Sequence, residues 1–314
     1  MDISILLAFQ NFRNGIGIIF VDFFKKMTFF GELNTTLVFL GIIYWCISKE
    51  LGTYLMMGWS GNRLVNGFLK VTFCAYRPWI RDPRIIPHGD SMLTATGYSF
   101  PSGHSTNAAS IFGGTAMKTD LPRPIRVALF VVVLLVGLSR MFLGVHTPQD
   151  ILIGISASLL VMFLSLKLMN WLDSNPSKDI LVACIGIALS IALAVYAALK
   201  NYPVDYDANG KIIVEGAKMA NDTFKAVGWV SAFLIGWVLE KRFVGFTTET
   251  TAVKKLGRAL FGLLGYYSVS FVLNSQIKLW LSGPAATIIT CFLQMFYISF
   301  LFPFCIKKFE KAEL

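Results

Sequence analysis

Residues 180–199 read "ILVACIGIALSIALAVYAAL", an apolar run with no charged side chain. A helix needs about 20 such residues to cross the roughly 30 Å hydrocarbon layer of a bilayer. Inside that layer every backbone N–H and C=O must be satisfied within the chain, which limits spanning structures to helices and closed barrels. Comparable runs recur at about 34–49, 51–73, 103–119, 126–143, 149–171, 179–199, 224–240, 256–276 and 284–305. The expectation is an all-α polytopic membrane helix bundle. Composition agrees, with 55% hydrophobic and only 15% charged residues, where a soluble domain carries about a quarter charged.

The formal net charge of +10 fits basic loops beside anionic headgroups better than it fits a nucleic-acid partner. Membrane lipids and an amphiphilic phosphorylated substrate are the expected partners, and nucleic acid is not. The cysteines (Cys46, Cys74, Cys184, Cys291 and Cys305) are odd in number and form no CxxC pair. Neither a disulfide framework nor a zinc site is indicated. Residues 1–33 mix apolar and aromatic side chains with Arg13, Asp22, Lys25 and Lys26, which suits an amphipathic interfacial segment. A first span within it is the competing reading. Residues 34–199 then hold six spans, and 200–314 add a long loop and about three more.

With nine spans, the long connections 74–102 and 200–223 share one face with the segment 144–148. The opposite face is richer in Lys and Arg, so the positive-inside rule puts the C-terminus in the cytoplasm and the first face outside. The unusual residues gather on that first face: Lys70 and Arg77–Pro78; Pro101, Ser102, Gly103 and His104; then Ser139–Arg140, His146 and Asp150.

Taken physically, this is an anion site with a nucleophile. Lys70, Arg77 and Arg140 supply positive charge, Arg with a planar fork that matches phosphate oxygens. Ser102 and Gly103 open a helix whose free N–H groups make a further anion-binding element. Phosphoryl transfer needs a nucleophile on one side of phosphorus and a proton donor on the other. Asp150 lies four residues after His146 and can fix its tautomer. That makes His146 the better nucleophile and leaves His104 as the general acid.

The three motifs "KVTFCAYRP", "PSGH" and "SRMFLGVHTPQD" resemble the type 2 phosphatidic acid phosphatase superfamily, whose signature is K-x6-RP, PSGH and SR-x5-H-x3-D. The resemblance implies a six-helix core over about residues 34–199. It also implies a phosphohistidine on His146, protonation of the leaving group by His104, orientation by Asp150, and phosphate binding by Lys70, Arg77, Ser102, Gly103 and Arg140. It implies no metal and no other cofactor.

Plainer readings stand beside these. "TPQD" is also a capping box, in which Asp150 caps its own helix. Ser102 reads equally as an N-cap. Arg63, two turns before Lys70, reads as structural. Arg81, Arg84 and His88, in the loop before PSGH, are possible headgroup contacts or simply solvated. The expected activity is hydrolysis of a lipid phosphate or polyprenyl diphosphate. Phosphotransfer to a lipid or sugar alcohol, a sugar-phosphate phosphatase resembling glucose-6-phosphatase, and an anion or lipid transporter stay open.

Overall fold

The structure, a computed structural model, describes residues 2–15, 17–95, 97–118, 121–207 and 209–311. Among the described residues all regular structure is helical, and the β-type pairing is an isolated bridge between Tyr206 and Ile212. The helices are α1 (Asp2–Gly15), α2 (Ile18–Met27), α3 (Leu33–Ile42), α4 (Lys49–Phe73) and the single turns α5 (Pro78–Arg81) and α6 (Ser91–Thr94). There follow α7 (Gly103–Ala108), α8 (Gly114–Lys118), α9 (Arg123–Phe142), α10 (Pro148–Ser174), α11 (Asp179–Leu199) and α12 (Gly216–Leu239). The chain closes with α13 (Ala252–Tyr267), α14 (Asn274–Trp280), α15 (Gly283–Phe296) and α16 (Phe302–Lys311).

Among the described residues all nine apolar runs are helical, but they are not equal. Among the described residues six helices are long and apolar enough to cross a membrane: Arg123–Phe142, Pro148–Ser174, Pro176–Leu199, Gly216–Val244, Ala252–Ile277 and Gly283–Glu310. The helix α4 is long but carries Asn62, Arg63, Asn66 and Lys70, and the α7–α8 run is short. Ile19–Gly31 and Leu33–Ile47 pass together as a pair bent by 58°, a broken span or a re-entrant loop. The N-terminal segment therefore includes a stretch apolar enough to enter the membrane.

The chain forms two compact units. One comprises Met1–Thr36, Val65–Phe163 and Ala197–Ala220; the other comprises Leu37–Leu64, Leu164–Tyr196 and Asn221–Leu314. Every residue singled out for phosphate chemistry belongs to the first.

Within the first unit, α10 shows why such a sequence packs as it does. Its buried positions Ile151, Gly154, Ser158 and Met162 recur every three or four residues, while Leu152, Leu160 and Phe163 point outward. Lipid tails are as apolar as leucine, so membrane helices associate through small and polar residues that allow close approach. At Gly154 a Cβ would sit 3.0 Å from the Ser102 carbonyl oxygen. Ser158 Oγ donates to the Thr106 carbonyl at 3.1 Å, and Asn66 Nδ2 donates to Thr106 Oγ1 at 3.0 Å. Helix α9 passes α10 at Gly137, where a Cβ would lie 2.7 Å from Ile151 Cγ2. Phe24 of α2 stacks on Phe142 at 4.3 Å between centroids. These contacts bring the N-terminal ends of α7 and α10 to the C-terminal end of α9.

The second unit has its own polar anchors. Lys49 Nζ pairs with the buried Glu240 at 2.7 Å, and Arg258 pairs with Glu310 at 2.6 Å while donating to the Trp45 carbonyl. Arg63 lies over the Trp59 ring at 5.4 Å, which supports the structural reading of that cation.

Candidate active site

His146 stands in the short connection between α9 and α10 and is 2% exposed. The connection turns at Gly144, whose φ of +74° favours glycine. Arg77 Nη1 donates to His146 Nε2 at 2.8 Å and to the Val145 carbonyl at 2.9 Å, and Arg77 Nε donates to the Gly97 carbonyl. A ring nitrogen that accepts from a guanidinium carries no proton. The hydrogen of the neutral imidazole is then on Nδ1, which faces Asp150 Oδ2 at 3.3 Å. Burial and the Arg77 guanidinium push the His146 imidazole down to about 3, so the ring is neutral at ordinary pH.

Asp150 does two jobs with one oxygen. Its Oδ2 accepts the Thr147 N–H at 2.8 Å, and the Asp150 N–H faces Thr147 Oγ1 at 3.4 Å, the reciprocal bonds of a capping box. The same Oδ2 faces His146 and accepts from Ser99 Oγ. Capping and orientation thus coincide on a single atom instead of being divided between the two carboxylate oxygens.

Ser102 is the N-cap of α7: its Oγ accepts from the Ser105 N–H and from Ser105 Oγ. Its own N–H is spent on the Asp150 carbonyl at 2.9 Å, which ties the PSGH turn to the start of α10. The N–H groups of Gly103 and His104, the first two of the helix, have no intrahelical acceptor. A Cβ on Gly103 would meet no atom within 4 Å, so the space beside the first residue of the helix is open.

Arg140, at the end of α9, is 2% exposed. Its Nη1 donates to Thr28 Oγ1, and its Nε has no hydrogen-bond partner among the described residues. A buried guanidinium with an unspent donor is a ready anion ligand. Lys70 Nζ donates to the Tyr98 carbonyl at 3.1 Å. Lys70, Arg77, Arg140 and His146 all lie close enough to His104 to act on its charge. Two imidazoles and three cations are therefore electrostatically coupled at the start of α7.

The loop residues are engaged elsewhere. Arg81 pairs with Asp2 of α1 at 2.7 Å, and Arg84 pairs with Asp82 at 2.6 Å. His88 is half-buried and its N–H donates to the Leu143 carbonyl. This loop docks the N-terminal helix: Arg13 donates to the carbonyls of Phe142 at 3.0 Å and Ile86 at 2.8 Å, and Gln10 bonds Arg84 and Ile86.

Several residues at the site escaped sequence reasoning. Ser99 was signalled only by its nearness to PSGH. Thr28 and Gly31 carried no signal, being far away in the chain. Yet Thr28 holds Arg140, and Gly31 abuts His104 so tightly that a Cβ would lie 2.7 Å from its carbonyl oxygen. Asn107 fixes this contact by donating to the Gly31 carbonyl at 2.9 Å.

With this geometry in hand, the relatives are informative. A model of the PAP2 superfamily matches residues 51–174, and one described as PAP2 superfamily phosphatase, transmembrane extension, matches 224–313. Phosphatidylglycerophosphatase B of Bacillus subtilis (strain 168) is 34% identical over 121 residues, covering 36% of this chain and 55% of that protein. The chain thus matches about half the length of that curated relative. The crystal structure of a transmembrane PAP2-type phosphatidylglycerolphosphate phosphatase from Bacillus subtilis matches with a TM-score of 0.44 and 25% identity, over 54% of this chain and 84% of the other. All the signature residues lie within the first matched segment, and the apolar helices Ala252–Ile277 and Gly283–Glu310, with most of Gly216–Val244, fall within the second: this chain is an integral membrane protein that carries a PAP2 superfamily domain.

Proposed function

We propose that this protein is a lipid phosphatase working through a phosphohistidine. The observation that carries the reading is the polarised row Arg77–His146–Asp150. It leaves a neutral imidazole with its Nε2 lone pair on the cation-lined side and its Nδ1 proton on a carboxylate.

The step follows from those positions. Arg77 shifts its Nη1 hydrogen bond from His146 Nε2 to a phosphate oxygen, and the freed Nε2 lone pair attacks phosphorus and forms a P–N bond as the bond to the leaving oxygen breaks. His104 gives that oxygen a proton. Positive charge developing on the His146 ring is stabilised by Asp150. Lys70, Arg77 and Arg140, with the N–H groups of Gly103 and His104, hold the non-bridging oxygens. Ser102 contributes by forming the helix end. Water then gives a proton to His104 and attacks phosphorus, the P–N bond breaks, and inorganic phosphate leaves. No step calls for a metal.

The substrate is an amphiphile, a lipid phosphate or polyprenyl diphosphate, because the site is built at the ends of membrane helices. The distribution of Lys and Arg supports an extracytoplasmic site and a cytoplasmic C-terminus. Attachment of a membrane-impermeant label to an introduced cysteine in residues 203–206 of intact cells is the expected outcome for that orientation.

The deciding experiment is phosphate release by the purified protein from a panel of lipid phosphates in EDTA, with rapid quenching of labelled substrate. The expected result is turnover in EDTA and a protein-bound label stable in alkali and lost in acid. His146→Ala should lack both. Turnover without any such label, or its abolition by EDTA, would count against the mechanism.

A further inference from the structure

Beside the phosphate site the first unit holds a second concavity. This cavity of about 370 Å³ has Arg77, Trp79 and Gly97 on one side and Lys211, Glu215 and Lys218 on the other. Arg77 is common to both places, since the side chain that donates to His146 also borders the cavity.

The far wall is a constructed loop. Asp207 Oδ1 accepts the N–H groups of Asn209 and Lys211, each at 2.9 Å. The Asp207 N–H donates to the Lys211 carbonyl and the Ile213 N–H to the Asp205 carbonyl, both at 2.9 Å, around the Tyr206–Ile212 bridge. Two latches hold this loop against the Arg77 side. Asp205 accepts from Tyr76, the residue before Arg77. Tyr202 stacks on Tyr98, and Met219 fills the space a Cβ on Gly97 would need, at a backbone φ of +75°. The loop thus presents Lys211, and the first turn of α12 presents Lys218, to the cavity that Arg77 borders.

Of the charged side chains that line the cavity on this side, two are ammonium groups and one is a carboxylate, while Asp205 and Asp207 of the loop are engaged by Tyr76 and by backbone N–H groups. A substrate whose only phosphate sits at His146 leaves those lysines unused. A second phosphate, linked directly or through a short polyol, would lie on the side of Arg77 that borders this cavity. An ammonium acts as a point charge without the geometric demand of a guanidinium, so it accepts either linkage. Resting on the phosphatase reading above, we propose that Lys211 and Lys218 form a subsite for a second phosphate of the substrate. The protein then favours lipids with two phosphates over simple phosphomonoesters.

The test compares phosphatidic acid, phosphatidylglycerol phosphate and a polyprenyl diphosphate in mixed micelles, using the full-length protein and its K211A/K218A and K211R/K218R variants. The expected result is that the alanine pair lowers kcat/KM for at least one two-phosphate lipid about tenfold relative to phosphatidic acid. The arginine pair should restore the ratio. The lipid affected identifies whether a diphosphate or a polyol-linked phosphate is read. An unchanged ratio, or equal loss on all three lipids, overturns the subsite while leaving the phosphatase reading intact. Wild-type protein inert on every lipid would overturn both.

Discussion

Oδ2 of Asp150 accepts the Thr147 N–H at 2.8 Å and faces Nδ1 of His146 at 3.3 Å, so a helix cap and the orientation of an imidazole depend on one atom. Asp150→Asn separates the two. An amide oxygen can keep the cap, but the uncharged group no longer stabilises a positive ring. Phosphate release should fall by about 10³-fold or more while the protein stays folded. Rapid-quench assays with thermal unfolding in detergent would check this; a loss of fold in parallel with activity would reduce Asp150 to a cap.

Burial, and after it the Arg77 guanidinium, lower the pKa of His146 to about 3, so the ring stays neutral above that pH. The neutral ring is the nucleophilic form and exists above that pKa. Removing the cation in Arg77→Met raises the pKa toward the ordinary value near 6.5, so the protonated fraction grows at pH 5–6. With only three histidines in the chain, selective ¹⁵N labelling and NMR titration would follow His146. A pKa unmoved by the substitution would contradict this electrostatic coupling.

Arg13 bridges the carbonyls of Phe142 and Ile86 from a helix more than seventy residues away in sequence. Its replacement by methionine leaves the buried Phe142 carbonyl and the partly buried Ile86 carbonyl without their donor. The expected cost is roughly 2–4 kcal/mol. Differential scanning calorimetry in detergent should show a lower Tm, whereas an unchanged one would mean that water replaces the guanidinium freely.

Gly31 has no room for a side chain beside His104. Gly31→Ala must push the turn or the PSGH helix by a few tenths of an ångström or more. Since small misplacements of reacting groups cost large factors in rate, kcat should drop at least tenfold with little change in Tm. Full activity would show that this packing has slack.

The chain's letters were sufficient for the membrane bundle, and they named the residues proposed for the site. Apolar runs near 20 residues leave the backbone few options, and all nine are helical. The motif residues were legible because phosphate chemistry demands particular groups: Lys70, Arg77, His104, Arg140 and His146 come together at His104, with Asp150 beside His146. Tertiary structure alone decided which donors remain free, since Ser102 spends its N–H on Asp150 while Arg140 keeps its Nε unspent. It also brought in Thr28, Gly31 and Arg13, and set Lys211 and Lys218 across a cavity from Arg77. The reason is physical. Periodicity and local chemistry are written in neighbouring residues, but a contact between distant segments depends on how helices with small-residue faces pack. That packing leaves no short-range mark in the chain.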